Sequence, residues 1–304
     1  MMQGFDPIDL KDTPEVTLLI DGDIIAFRAA AAAQMIYEDR FGLVQPFARR
    51  VDGETIVDNL MFGLETAFKA THIRVALTCP KSNFRNDLFP GYKGNRKLGF
   101  TGDGVRPLLL GILKDYLRDK YGAFSWEGLE ADDVLGILNT EPQAYSGKRI
   151  LVGNDKDFRT VPGLYHTIGK TTPRGRPLVE EISEWEAQRF LMFQTLTGDA
   201  TDGYAGCPGM GKKRAEEWLV APTLLVPGHG VKTVGINKGQ ATTRWKAEPT
   251  RDFWAGIVSH YKKGGQGEEE ALLTARLAHI LHHKDYNRET GEITLWTPDA
   301  LKGL

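Results

Sequence analysis

Hydrophobic residues along the chain follow two different rhythms. VTLLI (16–20) is a short unbroken apolar run that stops at Asp21-Gly22-Asp23, and IIAFRAAAAAQMIY (24–37) follows with helical character. Strand, carboxylates, helix is the order this predicts. The motif then varies. GETIVDNLMFGLETAFKA (53–70) spaces its apolar residues for a helix, and IRVALT (73–78) reads as a strand. VRPLLLGILKDYLRDKYG (105–122) and the short stretch 129–139, which opens LEADDV, are helical, while RILVG (149–153) and LYHTI (164–168) are strands. Strands alternating with helices predict an α/β layer built on a mainly parallel sheet. Beyond residue 183 the rhythm changes. EWEAQRFLMFQTLTGD, GKKRAEEWLV, RDFWAGIVSHYKK and EEEALLTARLAHILHH all read as helices, with Gly/Pro-rich turns between them. The stretch 221–250 fits neither pattern and is left unassigned. The expected organisation is an α/β domain over 1–183 and a helical portion over 184–304.

Length agrees with two domains: 304 residues is about twice the usual domain size. Hydrophobic residues make up 41% of the chain, enough for a sizeable core. No apolar run approaches the ~18 residues of a membrane span, so no membrane association is expected. The opening MMQGFDPIDLKDTPE is too polar for a secretory signal, which makes the cytoplasm the expected location. Cys79 and Cys207 stand far apart, which excludes a disulfide framework and a thiolate zinc site. A net charge of -2, from 38 Lys+Arg and 40 Asp+Glu, shows no overall basic excess. What matters is where the charges gather.

The acids gather at element ends. Asp21 and Asp23 follow one strand and Asp155 and Asp157 another; Glu130, Asp132 and Asp133 open a helix; Asp199 and Asp202 lie in GDATDG. In an open α/β sheet, the loops beyond the carboxyl ends of the strands converge on one crevice. Each pair alone suits a helix cap or a turn, which Asp does well. Gathered together they need a counter-charge, because two carboxylates 4 Å apart repel by about 4 kcal/mol at an effective dielectric near 20. Mg²⁺ or Mn²⁺ supplies it through oxygen ligands, and a donor set without His or Cys disfavours zinc. Two such ions activate a water and stabilise the leaving oxygen of a phosphodiester.

The bases gather too. KSNFRNDLFPGYKGNRK (81–97) has five Lys or Arg against one Asp, interleaved with Phe84, Phe89 and Tyr92, and runs into glycine-rich LGFTGDG (98–104). Cations for phosphates and aromatics for bases are the functional reading, a solvated basic loop the plain one. In GCPGMGKKRAEEWL (206–219), Gly206, Gly209 and Gly211 precede Lys212 and Lys213 at a helix start. Backbone N–H groups and the helix dipole there present themselves to a phosphate. This is the pattern of a helix–hairpin–helix, which grips a duplex backbone without reading its sequence.

LLIDGDIIAF (18–27), FPGYKGNRK (89–97), GLEADDVLG (128–136), GNDKDF (153–158) and LTGDATDGYAGCPGMGKKRA (196–215) together resemble the flap endonuclease/5′ nuclease superfamily, and within it the podovirus-type phage 5′→3′ exonuclease. The resemblance implies a PIN-like fold and metal-dependent hydrolysis of duplex DNA from 5′ ends, nicks, gaps or flaps. It also implies action on the RNA strand of an RNA/DNA hybrid, hence primer removal, in phage replication or host-DNA degradation, and a monomer. By likeness, Asp21, Glu130 and Asp132, with Asp133 beside them, are ligands of one metal. Asp155, Asp157 and Asp199 are ligands of a second, and Asp202 is an outer ligand. Lys93 and Arg96 match cations that engage the scissile phosphate, and Phe27 an aromatic that stacks on the terminal nucleotide. Arg85, Tyr92 and Lys97 are expected against DNA beside the glycine hairpin, which often carries K⁺ on its carbonyls. Asp23 has no counterpart and is expected to be an N-cap. One position departs: where the family usually has another Asp after the strand at 73–78, this chain has Cys79, a poor ligand for Mg²⁺.

Other chemistries compete. A haloacid-dehalogenase-type phosphatase would use Asp21 as nucleophile and Asp23 as acid/base, with GDATD as its late acidic motif. That fold requires a strand before GDATD, whereas FLMFQTLT has helical spacing. A PIN-class ribonuclease would lack the glycine hairpin, and a non-catalytic relative would have lost its carboxylates.

Overall fold

The computed structural model describes residues 15–94, 107–236 and 238–302, which form two compact units. The first takes the described residues up to Pro90, those from 107 to Ala187, and Ile280–Thr294. The second takes the described residues from Gly91 to 94, Gln188–His279 and those from Leu295 to 302. The chain thus crosses between units more often than a single break at residue 183 provides for.

In the first unit the elements run β1 (Val16–Asp21), α1 (Gly22–Ala33), β2 (Met35–Glu38), β3 (Val44–Phe47), α2 (Arg50–Phe68), β4 (His72–Ala76), α3 (Phe84–Leu88), α4 (Leu110–Tyr121), α5 (Ala131–Thr140), β5 (Lys148–Gly153), β6 (Gly163–Thr167) and β7 (Glu180–Ile182). The central sheet has the order β4-β1-β5-β6-β7, parallel except for the antiparallel edge strand β7. Every residue of β1 is buried, which is why it reads as an unbroken apolar run rather than an alternating one. Its side chains still alternate between two cores. Leu18 and Ile20 join Val75, Ile150 and Val152 against Ile25, Ala29, Val57, Met61 and Leu113, from α1, α2 and α4. Leu19 joins Ala76 and Leu151 against Val134, Leu135 and Leu138 of α5 on the other face. Helices therefore cover both faces, and the carboxyl ends of the parallel strands remain as the working edge.

The expected helix over 24–37 ends at Ala33. Gln34 turns extended (φ -85°, ψ 128°), and Met35–Glu38 pairs with Val44–Phe47 as a hairpin. Tertiary pairing wins here with local help: Asp39 closes the turn by accepting the Phe41 and Leu43 N–H groups at 2.8 and 2.9 Å.

The α6 helix (Glu184–Thr197) leads into the second unit, followed by β8 (Gly198–Asp199), β9 (Tyr204–Ala205), α7 (Lys212–Val220), β10 (Thr223–Val231), β11 (Ala241–Pro249), α8 (Phe253–Lys263) and α9 (Glu268–Ala278). Its core is Met192, Leu196, Ala215, Trp218, Leu219, Ile257, Tyr261 and Ala271. The Tyr261 hydroxyl donates to the Thr195 carbonyl at 2.6 Å, tying α8 to α6. This portion is not wholly helical, because the unassigned stretch 221–250 forms the β10–β11 ribbon. The last expected helix stops at Ala278; Ile280 and Leu281 enter the first unit's core. Among the described residues no helix is long and apolar enough to cross a membrane.

Candidate active site

Asp21 ends β1 and caps α1. Its Oδ1 accepts the N–H groups of Asp23 at 2.9 Å and Ile24 at 3.3 Å. The N-cap expected at Asp23 is therefore Asp21. Asp23 instead accepts the Thr78 N–H at 3.2 Å and pairs with Lys114 of α4 at 2.8 Å. Asp155 repeats the device one strand away, capping the short turn Lys156–Thr160 and accepting the Asp157 N–H at 2.9 Å. Strands β1 and β5 run side by side, Ile20 opposite Val152. A Cβ placed on Gly153 would strike the Phe158 ring at 2.6 Å, so the glycine makes room for that ring at the end of β5.

The electrostatic consequence falls on Asp21. Burial is the largest cause, and the charges of Asp23 and Asp155 add to it; together they push its carboxyl from 3.8 to about 7, against the lowering effect of its two N–H partners. Asp21 is buried in a place that disfavours its own charge.

The acidic end of α5 is tied to the end of β4. The Ala131 N–H donates to Thr78 Oγ1 at 3.1 Å, and the Cys79 N–H to the Leu129 carbonyl at 3.0 Å. Asp133, expected as a metal ligand, is fully buried and engaged on both oxygens. Arg85 donates to them at 2.7 and 2.8 Å, the Leu281 N–H at 3.2 Å and the Glu130 N–H at 3.3 Å. Arg85, expected against DNA, is itself buried, with Glu130 a further 3.3 Å partner. Both expectations are corrected for one reason: the pair forms a bidentate lock that sets the start of α5. Asp132 is half-buried beside it. Tyr165 of β6 reaches the turn that follows β5. Burial, then the charges of Asp155, Glu180 and Asp132, push its phenol up to about 12, while its hydroxyl donates to the Asp155 carbonyl at 2.9 Å.

Among the described residues, no three His, Cys, Asp or Glu side chains close into a cation cage. The donors nonetheless suit a hard divalent cation: all are carboxylates, and Asp21 is held against a charge that a cation would neutralise. Cys79 offers no oxygen. The N–H groups of Lys81, Gly128 and Ser82 pull its thiol below the usual range. Phe27 is half-buried one turn after Asp23 on α1.

Asp199, Asp202, Tyr92, Lys93 and the glycine turn belong to the second unit. Asp199 accepts the Thr201 N–H at 2.7 Å and the Asp202 N–H at 3.4 Å. Asp202 accepts the Tyr92 hydroxyl at 3.1 Å, and Lys93 Nζ lies 3.9 Å away, over the Tyr92 ring. Tyr92 is buried and stacked with Tyr204, so its expected place against DNA is corrected: it holds the Lys93 turn in position. Lys93 adopts a left-handed backbone (φ 55°), and its N–H donates to the Asp202 carbonyl at 2.7 Å. Gly206 packs directly on Gly198, where a side chain on either would strike backbone, so this glycine serves the turn itself. Gly209 (φ 75°) and Gly211 face open space, and Lys212 and Lys213 are exposed in the first turn of α7. Beside them a cleft of about 470 Å³ is lined by Gly209, Arg214, Trp218, His260 and Lys263. Arg96, Lys97 and 98–104 lie outside the described residues.

Several residues of these sites escaped sequence reasoning: Thr78, Lys114 and Tyr165. Only Thr78 carried a signal, as a hydroxyl at a strand end. The other two come from distant elements.

A mainly parallel sheet, helices on both faces and aspartates at the carboxyl ends of two adjacent central strands are the features of a PIN-like fold. Asp199 sits in a two-residue strand directly after α6 and outside the central sheet, which removes the strand that a dehalogenase-type phosphatase requires. Residues 16–163 match the family model of the 5′-3′ exonuclease, N-terminal resolvase-like domain. The chain is 32% identical over 292 residues to the exodeoxyribonuclease of Enterobacteria phage T3, covering 92% of each chain. It is equally similar, at 32%, to the exonuclease of Escherichia phage T7, covering 92% of this chain and 93% of that one. A T5 protein co-crystallised with metal ions shares the fold, with a TM-score of 0.52 at 18% identity, over 88% of this chain and 89% of that one. The chain belongs to the 5′-3′ exonuclease family and is a nuclease of that fold.

Proposed function

We propose that this nuclease is a metal-dependent 5′→3′ exonuclease that hydrolyses phosphodiester bonds of duplex DNA from 5′ ends, nicks or gaps, and also the RNA strand of an RNA/DNA hybrid. One observation carries the reading: Asp21, buried at the end of a central strand beside Asp23 and Asp155, has its carboxyl pushed to about 7. Such a group is a liability to the fold unless a cation meets it. The phage T3 and T7 relatives, an exodeoxyribonuclease and an exonuclease, support the substrate class.

Asp21, Glu130, Asp132, Asp155 and Asp157 are the first unit's candidates to hold Mg²⁺, with Mn²⁺ able to substitute; Asp199 and Asp202 are the second unit's. Bound there, the cations would supply the charge that makes a water nucleophilic and the leaving oxygen stable. The side chains do the rest. Lys93, held by Tyr92 and Asp202, offers a positive charge to a phosphate, with Arg96 as its companion from 81–104. Phe27 offers a face for the terminal base. Lys212 and Lys213, after the open Gly209–Gly211 turn, grip the duplex backbone as a helix–hairpin–helix would, with K⁺ as an accessory ion. The protein acts as a monomer, in the host cytoplasm if phage-encoded.

The test is a time course on 5′- and 3′-labelled duplexes, nicked duplexes, flaps and hybrids, with Mg²⁺ and with chelator. Mononucleotides or short oligonucleotides should leave the 5′ end only when Mg²⁺ is present. Cleavage that survives chelator, or that starts from the 3′ end, would overturn the proposal.

A further inference from the structure

The β10–β11 ribbon is used by nothing described so far. Its base is fixed: Leu225 is buried and its N–H donates to Ser259 Oγ at 2.9 Å, and Trp218 Nε1 donates to the Thr223 carbonyl at 3.1 Å. Past Leu225 the covering stops. The rest of β10 is exposed apart from half-buried Gly230, as are the tip residues 232–236 and 238–240. Nine residues per strand reach about 30 Å, close to one turn of B-form DNA.

The register gives the ribbon two unlike faces. Val226 opposite Lys246, Gly228 opposite Arg244 and Gly230 opposite Thr242 share one face. Pro227 opposite Trp245, His229 opposite Thr243 and Val231 opposite Ala241 share the other, which carries no Lys, Arg, Asp or Glu. On the first face Gly228 contributes no side chain, and Gly230 leaves room for Arg244 to lie flat across it, since a Cβ there would meet Arg244 Cδ at 2.7 Å. Lys246 makes an ion pair with Glu248 at 2.9 Å, but with the lysine 79% exposed this pair is weak and yields to a phosphate. At the tip Lys232 and Lys238 flank Val234 and Ile236, which are 81% and 101% exposed. Over 221–250 the count is four Lys or Arg against one Glu, in a chain whose net charge is -2.

We propose that this ribbon is a second duplex-DNA contact, with Arg244, Lys246, Lys232 and Lys238 on backbone phosphates and the apolar tip at a groove edge. It rests on the reading of the chain as a DNA exonuclease. A cationic two-stranded ribbon about one helical turn long fits a groove of the duplex, as β-ribbon binders do. The contact lengthens the footprint beyond the glycine turn and Lys212, so it matters for long duplexes and not for short ones.

The test uses the full chain with all four cations changed to Gln, alongside Arg244→Lys, and confirms equal thermal melting. Binding to duplexes of ~12 and ~30 base pairs is measured in chelator across a salt series, and cleavage of the shorter duplex at saturation with Mg²⁺. The fourfold variant should bind the longer duplex about tenfold more weakly, with a log–log salt slope shallower by about 3.6, since each of the four lost phosphate contacts removes about 0.9. Binding to the shorter duplex and its kcat should stay at the wild-type level, and Arg244→Lys should bind like the wild type. An unchanged affinity and slope on the longer duplex, with a wild type that binds and cleaves DNA, overturns the ribbon assignment alone and turns attention to a protein partner for the uncharged face. A wild type that neither binds nor cleaves duplex DNA overturns the parent reading with it.

Discussion

Replacing Asp21 by Asn isolates the cost of the acidic edge. The folded, metal-free protein holds the Asp21 proton up to about pH 7, whereas the unfolded chain releases it near 3.8. A folded pKa above the unfolded one means that the group's favourable contribution is complete below pH ~4, shrinks as pH rises and is gone above pH ~7. The difference of about three pH units corresponds to about 4 kcal/mol of stability lost across that window. Asn keeps the oxygen that caps α1 but carries no charge. In chelator, urea melts at several pH values should therefore show the variant overtaking the wild type as pH rises, the gap approaching about 4 kcal/mol at pH 8. Groups distant from Asp21 titrate alike in both proteins and cancel in the difference, while Asp23 and Asp155, which share its field, contribute to it. Added Mg²⁺ should then recover the wild type at pH 8 and leave the variant nearly unmoved, with about 2.7 kcal/mol expected at a hundredfold excess over Kd. A wild-type-minus-variant difference that stays flat between pH 4 and 8 would refute the argument.

Asp132→Ala and Asp155→Ala should each abolish cleavage while duplex affinity in chelator stays within about twofold of wild type; loss of binding in both would contradict their assignment as cation ligands. Arg85→Leu leaves Asp133 and Glu130 buried without their partner, so urea denaturation should show a loss of about 3–5 kcal/mol, much of it regained in Arg85→Leu/Asp133→Leu. A loss under about 1 kcal/mol would mean that the lock does not hold α5. Alanine at both Lys212 and Lys213 should weaken duplex binding with a salt slope shallower by about 2, and an unchanged slope would remove them from the DNA contact. Cys79→Ser should leave activity largely intact; a collapse with unchanged folding and metal affinity would give the thiol a role it is denied here.

Much of the architecture was legible because burial writes itself into the sequence. VTLLI, short and unbroken, reads as a strand, and the Asp-Gly-Asp that stops it marked the sheet edge. What stayed hidden depended on distant partners. Arg85 lies in a basic, aromatic segment that reads as a nucleic-acid contact, and only the fold brings it to Asp133, 48 residues on. Met35–Glu38 extends a helical spacing until pairing with Val44–Phe47 overrides it. The ribbon over 221–250 was illegible for another reason: beyond its buried base at Leu225 both faces are largely open to solvent, which leaves little alternation to read.

The capping role and the catalytic role of these aspartates begin as rivals in the sequence, yet they describe one arrangement. Asp21, Asp155 and Asp199 each use Oδ1 to accept the N–H two residues on, at 2.9, 2.9 and 2.7 Å. That bond fixes the carboxylate plane against the backbone, and with it the direction of the second oxygen. A carboxylate on a free rotamer would lose that freedom on meeting a cation, whereas a capped one has lost it already on folding. The same bonds lower the pKa of Asp21, opposing the burial and like charge that raise it, so they bring the ionised form nearer to working pH. Removing the cap while keeping the charge, as Asp21→Glu does by moving the carboxylate one methylene outward, should therefore weaken cation affinity even though the ligand type is unchanged. The comparison of Asp21→Glu with Asp21→Asn separates orientation from charge: if direction is what the cap supplies, Glu fails to restore Mg²⁺-linked stability.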